Sequence, residues 1–183
     1  MKKISEIIMK NKIFLHACCA PCLTGSFDYL KNDFDIELFW FNPNIFPKIE
    51  YQKRLDEVKR YAKIINADLE IINNDYDIEH IKWLRYISGL ENEPEGGKRC
   101  KKCFEYRLKK ISDNIDGKSF ATTLTVSPHK NATDINRIGK KISEEYISFD
   151  LNLLGCNKKS LELSKEFNIY RQKYCGCEYS LKK

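Results

Sequence analysis

Seven of the eight cysteines in this chain fall into three tight groups: Cys18, Cys19 and Cys22; Cys100 and Cys103; and Cys175 and Cys177. The first group lies in His16-Ala17-Cys18-Cys19-Ala20-Pro21-Cys22, after the apolar run Ile13-Phe14-Leu15 and before a helix expected to begin near Thr24. Neighbouring side chains point in different directions, so packing alone gives no reason for this crowding of thiols. A strand-to-helix turn is also where open α/β sheets carry their chemistry. The pair Cys100-x-x-Cys103 stands at the expected start of a helix, where the helix dipole and Arg99, Lys101 and Lys102 stabilise thiolates. By itself this pair fits zinc, an Fe–S cluster or a redox dithiol. Joined with Cys18 and Cys19 it makes a set suited to zinc or to an Fe–S cluster.

The pair Cys175-Gly176-Cys177 carries a different chemistry. A disulfide across a single residue closes a small strained ring, and strained disulfides are the labile ones. Gly176 supplies the backbone freedom such a ring needs. Cys156, which follows Gly155, reads as a packed cysteine. His16 could be a ligand, a proton donor or a hydrogen-bonded structural residue. Thr122, Thr123, Ser127, Lys130 and Asn131 offer hydroxyl, ammonium and amide groups to a polar ligand, or else cap a strand end.

The elements that must position these groups alternate along the chain. Apolar runs predict strands at residues 13–15, 36–42, 68–72, 119–125 and 146–149. Amphipathic spacing predicts helices at 50–66, 78–90, 103–115, 133–142 and 160–167; in the first, Tyr51, Leu55, Val58, Ala62 and Ile65 share one face. Phe39, Trp40 and Phe41 are assigned to sheet core. The alternation implies a single α/β domain over residues 1–183, a Rossmann-like parallel sheet with helices on both faces and right-handed crossovers. The loops after the first, second and fourth strands then open on one sheet edge, and the chemically unusual residues lie in them.

At 183 residues, 42% hydrophobic and 32% charged, the composition is that of an ordinary globular domain with a real core. Residues 1–11 carry only Ile7-Ile8-Met9 as an apolar centre, too short for a signal peptide, and no run reaches membrane-spanning length. A cytoplasmic setting is therefore expected, where metal binding or redox catalysis is favoured over stapling disulfides. The net charge of +6, from 32 basic and 26 acidic residues, is compatible with a nucleic-acid partner.

Five motifs in order resemble the cobalamin-independent epoxyqueuosine reductases. They are the His16–Cys22 segment, Phe41-Asn42-Pro43-Asn44-Ile45 with Glu50-Tyr51-x-x-Arg54, Arg99-Cys100-x-x-Cys103-Phe104-x-x-Arg107-Leu108, Thr122-Thr123-Leu124-x-x-Ser127-Pro128-x-Lys130-Asn131, and Tyr170-Arg171-Gln172-x-Tyr174-Cys175-Gly176-Cys177-x-Tyr179-Ser180. The resemblance spans about residues 14–180. It implies an oxidoreductase that completes queuosine formation in tRNA, converting the epoxide of the wobble base to an alkene and water with electrons from an external donor. It further implies a 4Fe–4S cluster on Cys18, Cys19, Cys100 and Cys103, and a C-terminal redox-active pair, Cys175 and Cys177. Cys22, left over, could hold a second iron with Asp150. Proton delivery is expected from His16 or Lys130. Asn42, Arg54, Arg99, Lys101, Lys102, Thr122, Thr123 and Asn131 are the expected substrate contacts, with Lys98, Arg99, Lys101, Lys102 and Arg107 facing phosphates.

Two other classes compete. An ATP-dependent, cluster-containing tRNA sulfur-transfer enzyme on a similar scaffold would need a glycine-rich phosphate loop after the first strand, whereas no glycine precedes Gly25. A non-catalytic zinc module that binds RNA would use Cys18, Cys19, Cys100 and Cys103 but leaves Cys175 and Cys177 without a purpose.

Overall fold

A computed structural model describes residues 10–72 and 75–181; the Ile7-Ile8-Met9 segment lies outside the described residues. Its centre is a parallel sheet of β1 (Asn11–His16), β2 (Phe34–Trp40), β3 (Leu69–Ile71) and β4 (Phe120–Thr122), in the order β3-β2-β1-β4. Leu15 stands opposite Leu38 on one side and Ala121 on the other. The chain runs outward from β1 to β3 and returns to place β4 on the opposite side of β1. The crevice between the carboxyl ends of β1 and β4 is therefore the topological switch point, where open parallel sheets bind ligands.

Side-chain alternation explains how both faces are buried. Ile13, Leu15, Leu38 and Trp40 point to one face, covered by α1 (Ala20–Leu30) and α2 (Lys48–Ile64) through residues such as Leu23, Leu30, Leu55 and Val58. Phe14, Phe39 and Phe41 point to the other, covered by α4 (Lys98–Ser112) and α5 (Ala132–Ile142) through Phe104, Leu108, Ile111 and Ile135. Phe39, Trp40 and Phe41 are all at most 2% exposed, as the sequence predicts. α3 (Tyr76–Tyr86) precedes α4, and α6 (Cys156–Glu166) packs on α1. That last contact is close enough that a Cβ on Gly25 would fall 2.1 Å from the Cys156 carbonyl oxygen. Cys156 itself is packed against Val126 and Leu151, as expected.

Several expected boundaries move, and the earlier starts of two helices relocate thiols. The fifth strand, expected at 146–149, is reduced to an isolated parallel bridge between Phe120 and Tyr146. β4 turns into a 3-10 segment at Thr123–Val126, so its edge is too short to support a longer ladder. α1 starts at Ala20, with Cys19 as its N-cap and Pro21 in its first turn, and so Cys22 is helical. α4 starts at Lys98, which puts Cys100 and Cys103 on one face of its opening turns.

The C-terminal tail is held by a buried guanidinium. Arg54, 2% exposed, donates from Nη1 to the Cys175 carbonyl at 3.0 Å and from Nη2 to the Tyr174 carbonyl at 3.3 Å. Its Nε donates to Glu50 at 2.7 Å, and the guanidinium lies 4.9 Å from the Tyr174 ring centroid. Tyr174 donates its hydroxyl to the Phe46 carbonyl, and Phe46 N–H donates to the Gly176 carbonyl at 2.8 Å. Gly176, at φ 143, has a backbone conformation that favours glycine, and a Cβ there would stand a tight 3.1 Å from Arg54 Nη1. Arg54 is thus a fastener of the tail, in place of the substrate contact expected from the sequence. Arg54→Met removes the charge partner of Glu50, leaving it only the Tyr170 hydroxyl, and strands two carbonyls. It is expected to lower stability by about 3 kcal/mol, read from urea unfolding, and to accelerate amide exchange at residues 174–177. Unchanged exchange there would show that other contacts hold the tail.

Candidate active site

A cavity of about 960 Å³ opens at the switch point, lined among others by Cys18, Cys19, Cys22, Lys130 and Cys175. Its floor is set by a buried polar network. Asn42 donates from Nδ2 to the Ala17 carbonyl at 2.9 Å, fixing the turn that carries Cys18. Its Oδ1 accepts from His16 Nε2 at 3.2 Å and from Arg107. His16 Nδ1 meets the Thr122 hydroxyl at 2.8 Å. Thr123 closes the turn from the β4 side: its hydroxyl oxygen accepts from Cys18 N–H at 2.9 Å and donates to Cys18 Sγ at 3.1 Å.

Cys18, Cys19 and Cys22 offer sulfurs that all lie within 4.8 Å of one another, and among the described residues this is the one such group of potential metal ligands. The Cys18 and Cys19 sulfurs are 3.9 Å apart. Hydrogen bonds from Cys18 and Cys22 pull the Cys19 pKa well below the usual thiol range, while sharing with Cys19 pushes Cys18 up and sharing with Cys18 and Cys19 pushes Cys22 well up. Three soft donors, with Cys22 only half-buried, that already favour one negative charge are a donor set that could hold a metal cation. Burial would by itself lower the Lys130 pKa; the surrounding thiols of Cys175, Cys18, Cys22 and Cys19 reverse this and push it up, so an ammonium group faces the sulfurs.

Cys100 and Cys103 stand apart from this triad. Cys100 packs beside the cluster that contains Cys18 and Cys19, its sulfur accepting from Gly96 N–H at 3.2 Å. Cys103 packs against Trp83, Ile87 and Cys177, and burial pushes its pKa up to about 12. Both tail cysteines are free thiols, as are the other six. Cys175 lines the cavity, whereas Cys177 is 8% exposed among Trp83 and Cys103, its sulfur 3.6 Å from the Ser180 hydroxyl.

Several expected site residues are placed elsewhere. His16 is fully buried below the cavity, and burial followed by the charge of Arg107 lowers its pKa to about 3, so it is a neutral structural histidine. Asp150 is outside the thiol triad; its carboxylate accepts from Leu153 N–H at 3.0 Å in a turn. Arg99, 3% exposed, gives its donors to the carbonyls of Leu90, Glu91 and Glu93 and covers Tyr179, so it folds the 91–97 loop. Lys101 pairs with Asp134 at 2.9 Å and Lys102 with Glu105 at 2.8 Å. Asn131 caps α5 by accepting from Asp134 N–H. Thr122, Thr123 and Asn42 serve the buried network. Arg107 belongs to that network too, although it reaches the cavity wall.

Asn44, Arg171 and Gln172, which the motifs contain without an assigned role, and Lys173, which they leave open, all line the cavity. Three of them flank the Cys-Gly-Cys pair in sequence, a neighbourhood that could have flagged them.

No helix among the described residues is long and apolar enough to cross a membrane. The sequence matches the profile of the family described as "Epoxyqueuosine reductase QueH" over residues 13–183. The curated relatives it resembles bear the same description. One from Streptococcus pyogenes serotype M1 is 37% identical, over 95% of this chain and 72% of its own length. One from Thermotoga maritima is 37% identical over 92% of this chain and 90% of its own length. One from Staphylococcus epidermidis is 35% identical over 95% and 78%. With the match running through every element that builds the cavity, from β1 to the C-terminal tail, this chain belongs to the epoxyqueuosine reductase QueH family.

Proposed function

We propose that this protein reduces epoxyqueuosine to queuosine in tRNA. The carrying observation is a cavity, in a chain of this family, where the thiols of Cys18, Cys19, Cys22 and Cys175 meet the ammonium group of Lys130. Two electrons and two protons convert the epoxide into a carbon–carbon double bond and one water. The electrons enter from a donor outside the chain, and a tRNA substrate puts the reaction in the cytoplasm. Unpaired anticodon bases can be splayed into a pocket of this kind. Arg171 and Lys173, exposed at the cavity wall, are the cations we assign to the flanking phosphates in place of Arg99, Lys101 and Lys102.

The cofactor we assign is a 4Fe–4S cluster on Cys18, Cys19, Cys100 and Cys103, with a second iron beginning at Cys22. When bound, such a centre supplies electrons singly and a Lewis-acidic iron for the epoxide oxygen. Support comes from the closeness of Cys18 and Cys19 and from Cys100, which packs against the apolar cluster to which both belong. Lys130 delivers a proton to the departing oxygen and offsets thiolate charge. Cys175 and Cys177 form the redox-active pair, Cys175 at the cavity and Cys177 behind it. The sulfur-transfer alternative is disfavoured by α1: its first glycine, Gly25, is closed in by the Cys156 carbonyl and leaves no phosphate loop.

Turnover tests the reading directly. Anaerobically prepared protein with a chemical reductant should convert epoxyqueuosine in tRNA to queuosine. Lys130→Ala should lower kcat about 100-fold, within the range for loss of a general acid, with iron content unchanged. No product from wild-type protein that carries its full iron would end the reductase assignment.

Metal analysis separates the ligand roles. Wild-type protein should contain acid-labile sulfide, which Cys18→Ser, Cys19→Ser, Cys100→Ser and Cys103→Ser lose. Cys22→Ser should keep the sulfide and lose only iron in excess of the cluster. Loss of all sulfide in Cys22→Ser would make the triad itself the cluster site, and active protein with zinc and no sulfide would remove the cluster altogether.

The tail variants Cys175→Ser and Cys177→Ser should retain iron and sulfide yet fail in multiple turnover, because a lone thiol cannot cycle through the intramolecular disulfide. Iron loss would make the pair ligands. Full activity with a chemical reductant would make it dispensable.

A further inference from the structure

Charge is unevenly divided between the helices on the two faces of the sheet. α4 carries seven lysines and arginines against one acid, Glu105, and α5 carries three against one, Asp134. Together they hold a net charge of +8 in a chain whose total is +6, so all other residues sum to −2. On the opposite face, α1, α2 and α6 carry nine cations against six acids. Such a one-sided excess produces a surface field that the overall charge conceals.

The helical pattern turns that charge outward. Arg99, Cys103, Phe104, Arg107, Leu108 and Ile111 form the buried stripe of α4, so Lys98, Lys102 and Lys109 fall on the far side and are exposed. Ile135 and Gly139 of α5 face inward, which leaves Arg137, Lys140 and Lys141 exposed on its outer side. Lys101 joins the two helices through Asp134, which also pairs with Arg137 at 2.5 Å. Lys109 pairs with Asp113 at 3.4 Å, and Lys140 donates to the Glu144 carbonyl at 3.1 Å. Exposed contacts of this kind are worth little, and their cations remain open to another anion. The helix dipole accounts for the lysines of the last turns, but it disfavours Lys98, Lys101 and Lys102 in the opening turns of α4, where no acid offsets them.

Both helices begin at the cavity rim. Glu95, three residues before α4, lines the cavity, and so does Lys130, which precedes the cap of α5. From there α4 returns the chain toward the start of β4 over 15 residues, about 22 Å. A continuous cationic flank therefore leads away from the place where a base would enter.

We propose that the outer face of α4 and α5 is a docking surface for the sugar–phosphate backbone of the RNA stem beyond the bases that enter the cavity, with Lys98, Lys109, Arg137, Lys140 and Lys141 as its phosphate partners. The proposal rests on the tRNA reading and extends it: Arg171 and Lys173 meet the loop, and the helical flank meets the stem. Contacts from such cations to phosphates position an RNA without reading its sequence.

The test measures the affinity of iron-loaded protein for whole tRNA, and for its anticodon loop as an oligonucleotide without the stem, across a salt series. Lys109→Gln, Lys140→Gln and Lys141→Gln are combined in one variant; none of the three lines the cavity. For whole tRNA, the slope of log K against log salt should become shallower by about one per lysine removed, equally with guanine or epoxyqueuosine at the wobble position. Loop binding, and kcat at saturating tRNA, should match wild type while KM rises. Circular dichroism and iron content verify folding and loading. If the triple variant does not fold, Lys140→Gln with Lys141→Gln gives the same comparison with a slope change of about two. Wild-type affinity and slope in the variant, beside a wild type that reduces epoxyqueuosine in tRNA, overturn the docking surface and leave the reductase reading standing. So does a variant that loses turnover only when a flavodoxin, an acidic electron carrier, replaces the chemical reductant, since the flank would then receive the donor. A wild type that binds whole tRNA no more tightly than the loop overturns the docking surface as well, and one that also fails to reduce epoxyqueuosine overturns both.

Discussion

The carboxamide of Asn42 is the constraint on which the site depends. A single side chain at the end of β2 donates to the main chain after β1 and accepts from His16 and from Arg107 of α4. Through His16 it reaches Thr122 at the end of β4. Three strand ends and one helix are thereby fixed relative to one another beneath the thiols. In an interior of low dielectric such bonds are strong, and an unpaired member is costly. Burial and then the charge of Arg107 keep His16 neutral, against the Asn42 oxygen, whose hydrogen bond favours the protonated ring.

A consequence is that the motif arginines act inward. Arg54, Arg99 and Arg107 are each at most 3% exposed. Arg54 and Arg99 spend their donors on main-chain carbonyls of the tail and of the 91–97 loop. Arginine suits this work because its planar fork can satisfy several acceptors with one always-charged group. A net charge of +6 therefore overstates the cation available to an external partner near the site. The basic charge at the cavity wall comes from Lys130, Arg171 and Lys173, with Arg107 reaching it from the buried network.

Much of the fold was legible because the periodicity was unambiguous. Ile13, Leu15, Phe14 and the 36–42 run read as parallel strands, and Tyr51, Leu55, Val58 and Ala62 do share the buried face of α2. The fifth strand failed because apolar spacing at 146–149 cannot reveal how soon β4 ends. The helix starts were misplaced because thiols carry no capping signal; Cys19 caps α1 with no side-chain hydrogen bond. At the site, residue type gave the thiols but not their grouping. Cys22 joins Cys18 and Cys19 only because α1 begins early enough to bring the next turn back over its N-cap. The roles of Arg54, Arg99, Lys101 and Lys102 depended on carbonyls and carboxylates distant in sequence, and spacing does not report those.

The cavity is completed by the segment from Tyr170 to Ser180. Cys18, Cys19 and Lys130 stand on the sheet edge, but Gln172, Tyr174 and Cys175 form the facing wall, and the tail that carries them has only a short 3-10 turn, Glu178–Ser180, as regular structure. Its order comes from contacts to α2 and to the loop after β2: Arg54 on two carbonyls, Glu57 accepting from Tyr170 N–H at 2.9 Å, and Phe46 N–H on Gly176. A segment held by few bonds to a rigid scaffold is the natural unit of local opening. Such opening would uncover the thiols without disturbing the Asn42 network, since no tail residue belongs to it. The sheet therefore sets where the sulfurs are, and the tail encloses them.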